Sequence, residues 1–451
     1  MQRIPTATFT ELTEGKPVFP MSGRPAPDFA AAGYETSEWA VAGEAVSYSV
    51  EEEIPESGRI TLAEADTAPF ATRVLVHRPA DPEAFSGVVL VEWLNVSGGQ
   101  DAAPDLTYLA EEILRAGHVW IGLSAQYIAV EGGEAAVSMG GQAAGLRSQR
   151  RRRYGGLHHP GDAYAYDILT QVGRGARDPD AGGPLGDLRP ATVIAVGESQ
   201  SAFALTSYVN GVHSLAGVFD AFLLHSRGAG SLSFDDRGRA ADIDDARTAP
   251  PVRLRDDLAT PVLVVQAEGD LGAPLHAVRC RQPDTDHLVS WEIAGQAHAD
   301  AFQLGGFVQF VDCGVPVNSG QQVFVLRAGL RHLVAWARGG PRPPSADPIE
   351  VDDEVVRGDL GNGRGGVRTP AVEAPAERLV GTPRPDAPPM CMLLGRTEEV
   401  PQEELRARWS GREEYVAAYR EATDRLIAEG FLIADDREEI LADARPGALS
   451  W

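Results

Sequence analysis

The sequence predicts an α/β protein, a sheet of eight mostly parallel strands with helices on both faces. Three observations carry that expectation. Apolar runs such as Val88-Val-Leu-Val91 are nearly continuous, as in strands buried on both faces of a parallel sheet. Helix-period segments fall between those runs, an order that implies right-handed crossovers in a doubly wound sheet. One run, Val193-Ile-Ala-Val-Gly-Glu-Ser-Gln-Ser201, breaks off in a serine-bearing turn just before a helical segment.

In chain order, strands are expected at 37–48, 72–77, 87–94, 118–125, 192–196, 217–225, 261–266 and 287–294. The first two alternate like antiparallel strands with one wet face. A helix over Pro104–Ala116 places Leu106, Leu109, Ala110, Ile113 and Leu114 on one stripe, with Gly117 as its stop. A second, over 161–172, aligns Tyr164, Ile168 and Val172. Insertions are expected near 127–159 and 227–255, the second where a lid would sit. Gly339-Gly-Pro-Arg-Pro-Pro344 reads as a linker closing a core of residues 1–340. The remaining 341–451 form a C-terminal extension packed on that core. Its helix near 403–429 carries Tyr415, Tyr419, Ala422, Leu426 and Ile427 as packing residues, then Gly430 as a cap.

Composition narrows the function classes. A chain of 451 residues with 43% hydrophobic and 23% charged residues is ordinary globular material. The net charge of −25 argues against nucleic acid and for a self-repelling surface. Arg147-Ser-Gln-Arg-Arg-Arg-Arg153 is the local exception, read as a solvated loop or as a dock for phosphate or carboxylate. No apolar run approaches the ~20 residues that a membrane span needs. The first residues lack a signal-peptide pattern, and Cys280, Cys313 and Cys391 are scattered and odd in number. A cytoplasmic, reducing location is therefore expected.

The serine turn sets the chemistry. Gly197-Glu-Ser-Gln-Ser201, between a strand and a helix, has the form of a nucleophile elbow, with Ser201 where a glycine is usual. A serine hydroxyl needs a base, and that base needs an orienting carboxylate. Both follow in the order Ser, acid, His, on loops that leave the carboxyl ends of neighbouring strands. Gln266-Ala-Glu-Gly-Asp270 supplies the acid and Ala294-Gly-Gln-Ala-His298 the base. Asp270 is the favoured acid and Glu268 its competitor. Among the other histidines His225 ranks second, because it ends the sixth strand. Oxyanion donors are expected from the N–H of Gln200 and from Asn95 in the loop after the third strand. Taken together, this is the plan of an α/β-hydrolase fold.

No cofactor and no metal are expected. His158-His159 and His298-Ala-Asp300 lack zinc-hydrolase spacing, and Gly361-Asn-Gly-Arg-Gly-Gly366 neither follows a strand nor opens a helix.

The segments Val91-Glu-Trp-Leu-Asn-Val-Ser-Gly-Gly99, Gly122-Leu-Ser-Ala-Gln126, His159-Pro-Gly-Asp162, Gly197-Glu-Ser-Gln-Ser-Ala202, Trp291-Glu-Ile-Ala-Gly-Gln-Ala-His-Ala-Asp300 and Gly365-Gly-Val-Arg-Thr-Pro370 resemble those of the "alpha/beta hydrolase domain" proteins. The resemblance covers most of the chain and implies that the extension belongs to the same folded unit. It implies an esterase-type hydrolase with Ser199 as nucleophile and His298 as base. It does not choose between Glu268 and Asp270, since the family tends to keep both carboxylates.

The expected function is a serine hydrolase that cleaves a carboxylic ester of a small or medium, largely apolar molecule. Two alternatives stand beside it. The same triad could serve acyl transfer or lactone or polyester cleavage, or the fold could be a non-catalytic binding module.

Overall fold

Alternating and aliphatic runs become strands because each buries the face, or faces, that its pattern makes apolar. The computed structural model describes residues 7–137, 143–178 and 182–451, so residues 138–142 of the expected first insertion lie outside the described residues. A short strand β1 (Thr8–Glu11) opens the chain. All eight expected strands follow: β2 (Tyr34–Val50), β3 (Leu62–Pro79), β4 (Val88–Trp93), β5 (Val119–Leu123), β6 (Thr192–Glu198), β7 (Ala221–His225), β8 (Val262–Ala267) and β9 (Leu288–Ile293). By internal packing the chain divides into two compact units. The first comprises residues through Ser22, Ala26–Val262 and Arg279–Gln282; the second comprises Gly23–Pro25, Leu263–Val278 and Pro283–Trp451.

In the first unit the strand order is β1-β2-β3-β5-β4-β6-β7. The pairs β1/β2, β2/β3 and β3/β5 are antiparallel. The block β5-β4-β6-β7 is parallel. Every residue of these four strands is buried, as their unbroken aliphatic character requires. β3 begins at Leu62 rather than at 72, because the polar stretch Glu64-Ala-Asp-Thr67 pairs with β2 through its backbone without apolar alternation. The helix Pro104–Ala116 stops at Gly117, whose left-handed φ of 71° lets its N–H reach the carbonyls of Ile113 and Leu114. The helix expected over 161–172 starts with a 3-10 turn, Asp162–Tyr164, and runs as Ala165–Arg177.

The segment expected as a second insertion carries one helix, Ile243–Thr248, and is pinned to its own unit. The Tyr166 hydroxyl donates to the carbonyls of Leu232 and Ser233, and the Ser207 hydroxyl donates to Leu232 as well. Gly228 passes so close to the Phe203 ring that a Cβ there would fall 2.0 Å from it.

Three imidazoles packed in this unit predict how it fails in acid. Burial lowers His77, His159 and His213 from the ordinary histidine value to about 4. His159 shows how neutrality is fixed: Nδ1 accepts the Gly161 N–H while Nε2 meets the Ala125 carbonyl at 2.8 Å. Unfolded, each ring protonates near pH 6.5. Their stabilisation is therefore complete above that pH and is lost as pH falls towards 4, about 3 kcal/mol per ring. Asp162 acts oppositely, because burial raises it to about 6 and stability rises as it takes up its proton. The carboxyls of Glu92, Asp105, Asp167 and Asp236, also raised by burial, act in the same sense as Asp162 and offset part of the loss from the rings. The ring contribution is isolated by His159→Gln, whose melting temperature, followed by circular dichroism, should fall less between pH 6.5 and 4 than that of the wild type. An unchanged pH dependence in that variant would contradict a neutral buried ring.

In the second unit β8 and β9 are neighbours. The helix Gln322–Ala337 follows, then the antiparallel pair β10 (Glu377–Val380) and β11 (Arg396–Glu399). The helix expected over 403–429 is two helices, Gln402–Arg408 and Arg412–Glu429. Trp409-Ser-Gly411 interrupts it because Gly411 is fully extended, a conformation that no helix contains. Tyr415, Tyr419, Ala422 and Leu426 are core residues, as their spacing predicts.

The cysteines that look scattered along the sequence are not all unpaired. Cys313 and Cys391 form a disulfide across 78 residues, with Cys280 outside the bridge. Odd number and irregular spacing hid the pair, because pairing depends on the fold and not on distance along the chain. Closing a loop of that length restricts the unfolded chain by about 4 kcal/mol. Changing both cysteines to serine should lower the urea midpoint of unfolding accordingly, and an unchanged midpoint would show that the bridge contributes nothing to stability.

Candidate active site

The end of β6 shows why Gly197-Glu-Ser-Gln-Ser201 turns as it does. A Cβ on Gly197 would fall 2.9 Å from Ser201 Cβ and 3.0 Å from Leu205, so only hydrogen fits between strand and helix. Ser201 is small enough to sit there fully buried, which is why the missing second glycine does not matter. Ser199 occupies the apex at φ 57° and ψ −120°, a region that L-residues avoid at a cost of about 1–3 kcal/mol. Its N–H donates to the carbonyl of His225 at 3.0 Å, and its own carbonyl accepts the Phe203 N–H. Gln200 opens the helix Gln200–Ser207, so its N–H has no acceptor within that helix.

Asn95 departs from expectation. Its backbone N–H donates to the Ala102 carbonyl, and its side-chain amide donates to the Glu198 carbonyl and carboxylate at 3.1 and 3.2 Å. Its Oδ1 accepts both the N–H and the hydroxyl of Ser97. With its donors so committed, Asn95 clamps the loop after β4 to the residue preceding Ser199 and is not turned towards a substrate oxygen. The same loop is held from behind. Buried Arg73 meets Glu38 at 3.1 Å and Asp101 at 2.6 Å, and Ser124 bonds both Arg73 and Asp101.

His225 already has a carboxylate of its own. Its Nδ1 lies 3.0 Å from Asp105, with both side chains fully buried. Burial raises the Asp105 carboxyl, and the imidazole beside it pulls the other way. Glu92 accepts the N–H groups of Asp105 and Leu106 and the Trp120 indole, which caps the helix Pro104–Ala116. Burial, then the neighbouring Asp105, hold Glu92 well above the usual carboxylate range. This chain of acids braces β4, β7 and the elbow from below.

In the second unit the two acids of the turn meet different partners. His298 Nδ1 lies 2.7 Å from Asp270 Oδ1, and the other carboxylate oxygen accepts the Ala267 N–H. Both side chains are buried. Glu268, two residues earlier, instead accepts the N–H groups of Gly295 and Gly381 and the Arg357 guanidinium.

A strand-to-helix serine turn and an Asp–His pair on later strand-end loops form a familiar combination. The family model described as alpha/beta hydrolase domain matches residues 5–442. The chain belongs to the alpha/beta hydrolase domain family. No curated protein matches it. Among solved structures, a glucuronoyl esterase from Solibacter usitatus is similar at 13% identity, over 61% of this chain and 72% of that one, with a TM-score of 0.32. An α/β serine hydrolase without a lid from Xanthomonas campestris is similar at 16% identity, over 67% and 97%, with a TM-score of 0.30. Est1E from Butyrivibrio proteoclasticus is similar at 9% identity, over 65% and 99%, with a TM-score of 0.32. These likenesses concern the fold alone.

Several residues that shape this alpha/beta hydrolase site escape a motif search. Glu92 is an acid inside the aliphatic run Val88-Val-Leu-Val-Glu-Trp93, and that misfit is the one readable signal of a buried polar role. Arg73 sits likewise within Ala71-Thr-Arg-Val-Leu-Val76. Asp105 follows Pro104 at a helix start, where an acid is commonplace, so nothing in the sequence marks it. No helix among the described residues is long and apolar enough to cross a membrane.

Proposed function

We propose that the protein is a serine hydrolase that cleaves a carboxylic ester through an acyl-enzyme on Ser199. The observation that carries this reading is the 2.7 Å bond from Asp270 to His298 Nδ1, which makes Nε2 the basic nitrogen. In this reading His298 Nε2 takes the proton as Ser199 Oγ bonds to the substrate carbonyl carbon. The N–H of Gln200 supports the oxyanion, with a second donor from the loop that Asn95 clamps. Collapse breaks the bond to the leaving alkoxide, which receives the proton from His298 and departs as the alcohol. Water then gives a proton to the same nitrogen and attacks the acyl carbon, releasing the acid and restoring Ser199.

The net charge of −25 favours uncharged esters over anionic ones at low ionic strength. The disulfide favours an oxidising compartment in place of the reducing one that scattered cysteines had suggested. Hydrolysis of p-nitrophenyl esters of increasing acyl length tests the reading. A burst of nitrophenol equal to the enzyme concentration is the expected result, and ester products appearing with an added alcohol would move the reading to acyl transfer. No turnover and no burst from a folded protein would remove it in favour of a binding module.

A further inference from the structure

The acid that does not meet His298 is as fully buried as the one that does. Glu268 has no exposed surface, yet it keeps a carboxylate where the Asp–His pair does not need one. Its Oε2 accepts the Gly295 N–H at 2.8 Å; its Oε1 accepts the Gly381 N–H and Arg357 Nη2, each at 3.0 Å. Gly295 begins the loop that ends in His298. Gly381 and Arg357 belong to the C-terminal extension.

Glycines make this convergence possible. A Cβ on Gly363 would lie 2.5 Å from Glu268 Oε2, and one on Gly269 would lie 2.4 Å from the Gly381 carbonyl oxygen. On Gly381 it would lie 2.3 Å from the Gln296 carbonyl oxygen. That carbonyl also accepts the Gly269 N–H, so acid turn and histidine loop are stitched on both sides of Glu268. The loop beyond Gly295 is held by the extension and by the helix Gln322–Ala337. The Ala299 N–H donates to Leu393, and the Gln322 amide donates to the Ala297 carbonyl and the Asp300 carboxylate.

We infer that Glu268 is a positioning residue through which the C-terminal extension sets the His298 loop against Asp270. The inference rests on the proposed function and deepens it. A plain buried ion pair would need only Arg357, whose side chain is 29% exposed. Glu268 instead uses both oxygens on two backbone N–H groups from separate segments, a pair of acceptors that a side-chain amide cannot offer. An amide of the same shape must turn its NH2 towards one of those N–H groups. With its oxygen kept for Gly381 and Arg357, donor faces donor at Gly295 and the histidine loop loses its anchor.

The test compares Glu268→Gln and Arg357→Met with the wild-type full chain. The readouts are kcat and KM on a p-nitrophenyl ester, melting temperature, and the NMR signal of the His298 Nδ1 proton, assigned by its loss in His298→Ala. Glu268→Gln should lower kcat about 100-fold, the effect of a displaced catalytic group, with KM within about threefold. The Nδ1 proton signal should move or broaden. Arg357→Met, which removes one charged donor, should lower kcat about 10-fold in the same manner. A Glu268→Gln protein that keeps wild-type kcat and an unmoved proton signal while melting lower would overturn the inference and leave a merely structural carboxylate. If Glu268→Gln does not fold, Arg357→Met decides alone, and unchanged kcat there overturns it. Should the wild type show no esterase activity, the proposed function fails, while the proton signal still reports whether Glu268 positions His298.

Discussion

Replacing Ser199 with alanine is expected to leave the fold intact and to lower kcat by about 10,000-fold or more, as loss of a triad nucleophile does. The fold should survive because the turn depends on its neighbours and not on the hydroxyl. Gly197 admits the helix, the Ser199 N–H holds the His225 carbonyl, and Asn95 grips the Glu198 carbonyl and carboxylate. Alanine keeps all three. It also keeps the strained φ of 57°, which glycine would relieve. Ser199→Gly should therefore be as inactive as the alanine variant but more stable by about 1 kcal/mol. Steady-state kinetics and melting curves on the pair separate hydroxyl chemistry from backbone strain. An alanine variant with most of its activity would end the nucleophile assignment.

Changing Asp270 to asparagine should cost about 10,000-fold in kcat, again with the fold intact. The carboxylate has two tasks: one oxygen takes the Ala267 N–H and the other takes His298 Nδ1–H. Asparagine can keep the first only by offering its NH2 to the ring. That forces Nδ1 to become the acceptor and puts the proton on Nε2, where a base is needed. Glu268 cannot step in, because Gly295, Gly381 and Arg357 already hold its oxygens. The two acids should thus be separated by about two orders of magnitude, Asp270→Asn being the more damaging. Kinetics on both variants check the order, and a larger loss in Glu268→Gln would reverse the assignment.

Much of this was legible because the signals are local. A strand buried on both faces has to be aliphatic, and β4 to β7 could be read from that alone. The elbow was legible because an aliphatic run gives way to a serine turn and then to a helical segment within a few residues. The order Ser199, Asp270, His298 needed only strand positions. What the sequence left open or hid depends on partners distant along the chain. Asp270 and Glu268 lie in one turn, and only the direction of each side chain, set by Gly295 and Gly381, tells them apart. Asn95 sits where an oxyanion donor belongs, yet Glu198, Ala102 and Ser97 take up its polar groups. The disulfide is a contact between residues 78 apart, and spacing carries no trace of it. β1 is four residues of mixed polarity, and its ladder with β2 needs no pattern at all.

Activation of Ser199 by His298 and Asp270 can be measured by labelling with a fluorophosphonate probe, read by intact mass and peptide mapping. One adduct per chain is expected, on Ser199, absent in Ser199→Ala and formed far more slowly in His298→Ala and Asp270→Asn. A folded wild-type protein that takes up no probe, or one labelled equally fast without His298, would contradict that activation.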